Sequence, residues 1–506
     1  MDRAKDSPAD RSKEAGLQAV RPPAAGADFL QLDIGEAPAG GLADWLAGRL
    51  RLAIADGRLP VGSRLPATRV LAAELRVSRG VVTDAYRRLG EDGHVAGRGR
   101  GGTVVVAAPV RAPAPPTPPA PAGPPSPEAV FAAAPGPDVF DLLRAAPARI
   151  DLTPGTPDLA AFPRAAWQRA ERQVLGDLAS PDLGYGDPRG APALRLAVAG
   201  WLARNRGVRV DPGEVLVVSG TAQALTLFAQ VLHDEGVRAM AVEDPGSLGA
   251  RMHLNARRLA TPPVPVDAEG VRVGDLRATG APVVLLTPAH QFPTGVVLSG
   301  DRRRELMRWA AGGGLVFEDD YDAEHRYDRP PVPALRSMLP DRVVYAGSVS
   351  KLLAPALRVG WVLAPPAYRD ALVDAKRYAD LGNAVLPQLT LARLMESGEL
   401  ERHLRLLRGR HRRRRDAMVG AIGRHLPGAV VYGAAAGLHL MVTFDAGFAD
   451  TDLAAAALER GVKVHPLSWH ARLPHRPGLV LGYAARTPDE IGEAVAVLGT
   501  VVRRLL

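Results

Sequence analysis

The stretch Val343 to Gly360, VVYAGSVSKLLAPALRVG, puts Lys351 at the end of an apolar β-like run and Arg358 seven residues later. The chain writes nearly all its basic charge as arginine: of 63 lysines and arginines only five are lysine, namely Lys5, Lys13, Lys351, Lys376 and Lys463. A lysine retained against that bias implies that an amine is needed. Guanidinium keeps its proton in a protein, whereas a desolvated lysine loses it, and only a neutral amine forms a Schiff base with an aldehyde. The aldehyde cofactor this points to is pyridoxal 5'-phosphate (PLP). Ser348, Ser350 and Arg358 would then supply hydroxyl and bidentate guanidinium contacts to its phosphate.

Two further groups suit the same chemistry. Gly220-Thr221-Ala222-Gln223 follows the β-like run VLVVSG and opens the helical stretch TAQALTLFAQVL. Free amides and the helix dipole attract phosphate there, although an ordinary tight turn has the same appearance. Asp319 and Tyr321 end the run LVFEDDY. A buried carboxylate pairs with a pyridinium nitrogen and keeps it protonated, and a phenol two residues on can bond the ring's 3-oxygen. The run EDDYDAEH gathers Glu318, Asp319, Asp320, Asp322, Glu324 and His325, yet lacks an established metal loop or i, i+4 histidine spacing. No metal is expected.

The elements that must position these residues begin near Ile150, where β-like runs alternate with helical patterns through VLVVSG, PVVLLTP, LVFEDDY and VVYAGS. That alternation predicts an α/β body with a largely parallel sheet, whose ligands bind outside the carboxyl ends of the strands. The last hundred residues predict a smaller α+β lobe. In the basic run RGRHRRRR, 408–415, a helical setting favours a solvated face over a second nucleic-acid patch.

The N-terminal part differs in kind. Leu42, Leu46, Leu50 and Ile54 recur every four residues with Trp45 alongside, predicting an amphipathic helix closed by Asp56-Gly57. A short helix from Thr68 to about Leu75, a turn at Arg76-Val77 and a third helix capped by Ser78 and running to about Glu91 make a helix-turn-helix pattern. On the third helix Val81, Ala85 and Leu89 share the stripe to be buried, leaving Arg79, Thr83 and Arg87 to face a major groove. GHVAGRGRGGTVVV reads as a two-stranded wing with Arg98 and Arg100 at a glycine-rich tip that can approach a backbone closely. Residues 40–107 carry eleven arginines against six acidic residues, more than half the chain's net charge of +9 in less than a seventh of its length. Double-stranded DNA is the partner implied.

At 506 residues the chain exceeds the size of one core, and its 47% hydrophobic content supports ordinary globular domains. The absence of cysteine excludes disulfides, thiolate-held iron–sulfur clusters and cysteine zinc sites. The N-terminus has no signal-peptide core and no apolar run spans a bilayer, so a cytoplasmic location is expected. Residues 108–127 hold ten prolines in twenty positions, a polyproline-type spacer reaching at most about 60 Å. The expected division is a disordered arm over 1–38, a winged helix-turn-helix over 39–107, a Pro/Ala-rich linker over 108–148 and an α/β PLP-binding body over 149–506.

LPVGSRLPATRVLAAELRVSRGVVTDAYRRLGEDGHV resembles the winged helix-turn-helix of the GntR superfamily over nearly its whole length. That resemblance implies DNA contacts from Arg64, Arg69, Ser78, Arg79, Thr83, Tyr86 and Arg87, with His94 at the wing. SGTAQAL, EDPG, TPAHQFPTG, EDDYDAEHRY and SVSKLLAPALRVG together resemble fold-type I PLP enzymes of the class I aminotransferase kind. The whole from about residue 40 onward resembles the MocR subfamily of GntR-type regulators. It implies that Lys351 forms the Schiff base, that Asp319 meets the pyridine nitrogen and Tyr321 the 3-oxygen, and that Gly220, Thr221, Ala222, Ser348 and Arg358 hold the phosphate. It also implies a homodimer, often head-to-tail, in which Tyr185 of YGDPRG reaches the partner subunit's phosphate.

Three departures bear on function. Aminotransferases place an asparagine just before P-T-G, where this chain has Phe292, with His290 and Gln291 the nearest replacements. Ser247 stands after EDPG where relatives carry an aromatic residue to stack on the pyridine. Val480 stands where many aminotransferases keep a substrate-carboxylate arginine, leaving Arg472, Arg476 and Arg486 as substitutes. An incomplete clamp favours a PLP-responsive transcription regulator, sensing PLP and an amino compound, over an active aminotransferase with an accessory DNA-binding domain.

Overall fold

The computed structural model describes residues 30, 32–38, 40–108, 126–131, 134–327 and 332–506; most of the N-terminal arm and the prolines between 109 and 125 lie outside the described residues. The chain divides into two compact units, 1–122 and 123–506.

In the first unit the helix Leu42–Ala55 buries Leu46, Ala47, Leu50, Ala53 and Ile54, the stripe its spacing requires. The helices Thr68–Glu74 and Arg79–Glu91 follow, joined through Arg76, which takes a left-handed φ of 52° to turn the chain sharply. Strands Val95–Gly97 and Thr103–Val105 pair antiparallel as the wing, and Val95 and Val105 join the helical core. Leu30 is buried in that core and Ile34 packs against it, so the tail end of the expected disordered arm belongs to the folded unit. Apolar Leu30, Leu32 and Ile34 in an otherwise polar arm carried that signal.

The second unit holds an eight-stranded sheet in the order Val215–Val218, Gly360–Leu363, Val343–Ser348, Leu315–Asp320, Val283–Leu286, Met240–Asp244, Pro263–Asp267, Gly270–Val271. Strands from Val343–Ser348 through Pro263–Asp267 pair in parallel, and the innermost are buried along their length, as helices on both faces demand. The connection from Ser348 to Gly360 is too short for a helical crossover, which takes about a dozen residues or more. Strand Gly360–Leu363 therefore doubles back antiparallel to Val343–Ser348 and to Val215–Val218. With one reversed strand between them, the two outer strands run the same way. Their carboxyl ends, with Ser219-Gly220 and Ser348, open at one edge.

The smaller lobe has an antiparallel four-stranded sheet, Val430–Tyr432, His439–Thr443, Gly478–Gly482 and His465–Pro466, covered by helices including Glu399–His425 and Pro488–Leu505. The expected linker ends early. Pro127–Phe131 and Val139–Ala145 are helices whose Val130, Phe131, Val139 and Leu143 enter this lobe's core, with Phe131 stacked on Trp469 at 5.2 Å. Apolar side chains return there after the last proline-dense stretch, and burying them outweighs the composition around them. Among the described residues no helix is long and apolar enough to cross a membrane.

Candidate cofactor site and basic reading face

The first end of the site forms where the strand Val215–Val218 passes into the helix Thr221–Asp234. Gly220 caps that helix with φ 82°, and the first amides, those of Thr221 and Ala222, sit among the orphan donors of the N-terminus. A side chain on Gly220 would lie 3.5 Å from Arg358 Nη1, 3.7 Å from Ser350 Oγ and 3.8 Å from Ser348 Oγ, so these groups crowd one concavity. A Cβ on Gly360 would strike the backbone of Gly347 and Gly220, so glycine is required for the strands to approach. Ser348 Oγ donates to Ser350 Oγ at 2.8 Å. Arg358, left-handed at φ 51°, turns its guanidinium onto the Ser219 carbonyl. Hydroxyls, amides and a guanidinium in one cradle fit a phosphate.

Residues not singled out from sequence hold this cradle. Asn383 Nδ2 donates to the Arg358 carbonyl at 3.0 Å and to Ser219 Oγ at 3.1 Å. Asn383 Oδ1 in turn accepts from Lys376 Nζ at 2.6 Å, and the same ammonium donates to Asp380 at 2.7 Å and Gln223 at 2.9 Å. Lys376 is fully buried. The argument that drew attention to Lys351, a lysine kept in an arginine-rich chain, applies equally here. Three acceptors converge on one nitrogen, a geometry that suits ammonium and not a planar fork.

At the second end, Lys351 Nζ donates to the Gly155 carbonyl, tying the residue to the chain segment after Ile150–Asp151. Burial depresses the Lys351 pKa, opposed by the charges of Asp319 and Asp322. Asp319 is pushed up to about 7, chiefly by burial and then by Asp320 and Asp322, and its Oδ1 is buried without a partner. An orphaned carboxyl oxygen and a desolvated amine are what a pyridine nitrogen and an aldehyde would satisfy, so the residues fit PLP. Tyr321 donates to the His290 carbonyl at 3.1 Å and lies 3.1 Å from His290 Nδ1; burial raises its pKa well above the usual phenol value. His325 Nε2 lies 3.2 Å from the Lys351 carbonyl and is pushed down to about 4 by burial, keeping it neutral.

Of the two replacements considered for the missing asparagine, His290 reaches Tyr321. Gln291 is spent on its own turn, donating to the Pro245 and Phe292 carbonyls and accepting from Thr294. Phe292 packs its ring 5.0 Å from those of His439 and His470. Ser247 caps the helix Leu248–Ala256 by accepting from Ala250 N at 3.2 Å. Val480 is buried in the smaller sheet opposite Met441 and His465. Arg472 donates to the Thr261 carbonyl at 2.7 Å and Arg486 to that of Asp151 at 3.1 Å, while Arg476 is exposed.

Most of the acidic run is structural. Glu318 accepts from the amides of Leu335 and Arg336, and Asp320 receives Arg206 and Tyr345 at 2.6 Å each. The basic run on Glu399–His425 is only partly solvated. Arg410 and Arg414 both reach buried Asp158 at 2.7 Å, and Arg415 lies over the Tyr327 ring at 5.3 Å. Helical period turns every third or fourth residue of the run inward, leaving Arg408, Arg412 and Arg413 exposed. Tyr185 stands 96% exposed.

On the first unit, Arg64, Arg69, Ser78, Arg79, Thr83, Arg87 and Arg98 are exposed and His94 is half-buried; the Arg100 side chain lies outside the described residues. Arg79 Nε reaches Thr68 Oγ1 at 3.3 Å, whereas Arg87 is forked between Asp84 and Glu91. Tyr86, expected at the DNA surface, is instead 7% exposed and donates to the Pro66 carbonyl at 2.9 Å. It falls one residue after Ala85 and three before Leu89, on the flank of the stripe that buries Val82, Ala85 and Leu89.

Residues 42–105 match the family of bacterial regulatory proteins, gntR family, and residues 149–498 match aminotransferase class I and II. The probable rhizopine catabolism regulatory protein MocR of Rhizobium meliloti is 32% identical over 463 residues, covering 88% of this chain and 91% of its own length. The HTH-type pyridoxine biosynthesis transcriptional regulator PdxR of Corynebacterium glutamicum is 29% identical over 466 residues, 90% of this chain and 95% of its own. Among solved structures, Pyrococcus horikoshii kynurenine aminotransferase in complex with PMP matches with a TM-score of 0.67 at 27% identity, over 73% of this chain and 94% of that one. Alpha-aminoadipate aminotransferase LysN of Thermus thermophilus, complexed with N-(5'-phosphopyridoxyl)-L-leucine, matches with a TM-score of 0.66 at 27% identity, over 72% and 94%.

Proposed function

The chain belongs to the MocR type of GntR-family transcriptional regulators, a winged reader joined to an aminotransferase-like body, and on that premise we propose that it controls promoter binding in response to PLP. The observation that carries this reading is the buried Lys351 amine held under the influence of Asp319, whose own Oδ1 has no partner. A relative named for the regulation of pyridoxine biosynthesis supports a B6 compound as the input.

When bound, PLP supplies an aldehyde and an electron-withdrawing ring. Lys351 offers the amine, neutral over a wider pH range than a solvated lysine because burial disfavours its charge. Asp319 Oδ1 would hold the proton on the pyridine nitrogen, and the Tyr321 hydroxyl, held beside His290, would turn its one proton from the His290 carbonyl to the 3-oxygen. The amides of Gly220, Thr221 and Ala222, with Ser348 and Arg358, bind the phosphate. Tyr185, exposed on one protomer, reaches the phosphate of its partner in a head-to-tail homodimer.

An amino compound is the second input of this reading, since a Lys-held aldehyde exchanges readily with other amines. Buried Val480 at the expected carboxylate-clamp position, with Arg472 and Arg486 engaged on backbone carbonyls, favours sensing over turnover. The winged unit reads repeats through Arg79, Thr83 and Arg87 in the major groove and through Arg98 at the wing, with Arg64, Arg69, Ser78 and His94 beside them. A gel shift of the full chain on DNA upstream of its own gene, with and without PLP, tests the reading. A specific complex whose affinity or mobility changes with PLP is expected; identical binding and transcription in both conditions would overturn it.

A further inference from the structure

His290, Asp322 and His439 come from three different elements. His290 lies in the loop after the strand Val283–Leu286, Asp322 just past the strand Leu315–Asp320, and His439 opens the strand His439–Thr443 of the smaller lobe. All three are 2% exposed or less, and each contributes one ligand atom to a group whose members lie within 4.8 Å of one another. The imidazoles share a further property. One ring nitrogen of each is anchored: His290 Nδ1 lies 2.8 Å from Asp322 Oδ2, and the His439 ring bonds the Pro293 carbonyl. The other nitrogen, Nε2 in both, is buried with no partner. Leaving such a group unsatisfied costs about 1–3 kcal/mol, so the bare His439 nitrogen beside the His290–Asp322 pair calls for an occupant.

We propose that His290, Asp322 and His439 form a divalent transition-metal site, suited to zinc, that clips the smaller lobe to the carboxyl edge of the eight-stranded sheet. Two imidazoles and one carboxylate make the three-protein-ligand set of an open zinc site, with a fourth position free for water or a ligand. Magnesium and calcium prefer all-oxygen shells and are disfavoured by the same set. His439, anchored through one nitrogen to the Pro293 carbonyl with Nε2 free, is in the arrangement that presets a histidine for metal, and His290 would offer Nδ1, the nitrogen that already lies beside Asp322 Oδ2. Tetrahedral bonds of about 2.1 Å put ligand atoms roughly 3.4 Å apart, so closure takes about 1 Å of side-chain adjustment. The acidic run offers only Asp322 to this site; the histidines come from distant segments, which is why no local spacing announced it. The site adjoins Tyr321, whose hydroxyl lies 3.1 Å from His290 Nδ1, so metal and the proposed cofactor share a wall. The proposal does not depend on the cofactor assignment.

The test uses the untagged full-length protein, stripped of metal by a chelator and of PLP, and titrated with Zn²⁺ alone. Bound zinc is read by equilibrium dialysis and stability by the thermal midpoint. One zinc per chain is expected, with a rise in the midpoint. His439→Ala should bind zinc at least about a hundredfold more weakly and lose the rise. Asp322→Asn, nearly isosteric and so a safeguard should His439→Ala fold poorly, should weaken binding as well. No zinc at one per chain in the wild type would overturn the site. So would zinc that binds equally to wild type and to both variants, which would place it elsewhere.

Discussion

Lys376 Nζ donates to Asn383 Oδ1 at 2.6 Å, and the amide of the same asparagine bonds the backbone carbonyl of Arg358. A buried ammonium thus sets the orientation of a residue that holds the chain at Arg358, one step removed from the cradle around Gly220.

Lys376→Met should therefore act on both stability and ligand binding. It strands Asp380 and Asn383, and removing one partner of a largely buried ion pair costs about 3 kcal/mol, less here because Asp380 is partly exposed. The expected outcome is a lower urea midpoint together with weaker phosphate binding in PLP and in pyridoxamine phosphate. Lys376→Arg should not rescue, since a planar fork cannot serve three acceptors gathered on one nitrogen. Full rescue by arginine would show that charge alone matters.

Much of the architecture was legible because it rests on local pattern. Four-residue apolar spacing marked the helix Leu42–Ala55, and alternation of apolar runs with helical stretches marked the large sheet. Three features depended on tertiary packing and were not legible. Tyr86, four residues after Val82 and three before Leu89, enters the buried stripe because packing turns Val82 rather than Val81 to the core. Pro127–Phe131 follows a proline-rich stretch yet finds an apolar cleft to fill. His439 joins Asp322 and His290 only once the two lobes are folded together.

Asp319→Asn should trade binding for stability. The Asp319 carboxyl, raised to about 7 by burial, binds a proton in the folded state that the unfolded chain releases near pH 4. Folded protein thus holds more protons between pH 4 and 7, and the site's contribution to stability falls as pH rises through that window. In the PLP-free protein, wild type and Asp319→Asn should match near pH 4, with the variant the more stable at pH 8 by an amount on the order of 3 kcal/mol. Urea unfolding at the two pH values measures this, and the same variant should bind PLP more weakly. A pH-independent difference would place the Asp319 charge in solvent.

On the reading face, Arg79 and Tyr86 should separate cleanly. Arg79→Ala should weaken operator binding by about 1–3 kcal/mol if it reads a base edge, and Arg87→Ala by less, because Arg87 is already paired to Asp84 and Glu91. Tyr86→Phe should leave operator affinity unchanged while costing about 1 kcal/mol of stability through the lost bond to Pro66. Gel shifts and thermal melts of the same preparations distinguish the two. A Tyr86→Phe protein of full stability and weak DNA binding would return that hydroxyl to the interface.

Lys351 supplies a second pH dependence, of opposite sign to that of Asp319. Its pKa is depressed by burial, with Asp319 and Asp322 acting against the depression. Covalent capture of PLP needs the neutral amine, so capture should rise with pH and level off below the pH at which a solvated lysine does. Sodium borohydride reduction followed by peptide mass mapping reads the attachment at Lys351, and Lys351→Ala should abolish it while basal DNA binding persists. The same depression has a cost in the PLP-free protein. Between the folded pKa and the ordinary value near 10.5 the unfolded chain binds the extra proton, so stability contributed at this position rises with pH across that window. Lys351→Met should accordingly stabilise the PLP-free protein at neutral pH, by about 1.4 kcal/mol for each unit of depression, with the advantage shrinking toward pH 10. Attachment that tracks an ordinary lysine, or a variant with no gain at neutral pH, would mean that the amine is solvated and that another residue carries the link.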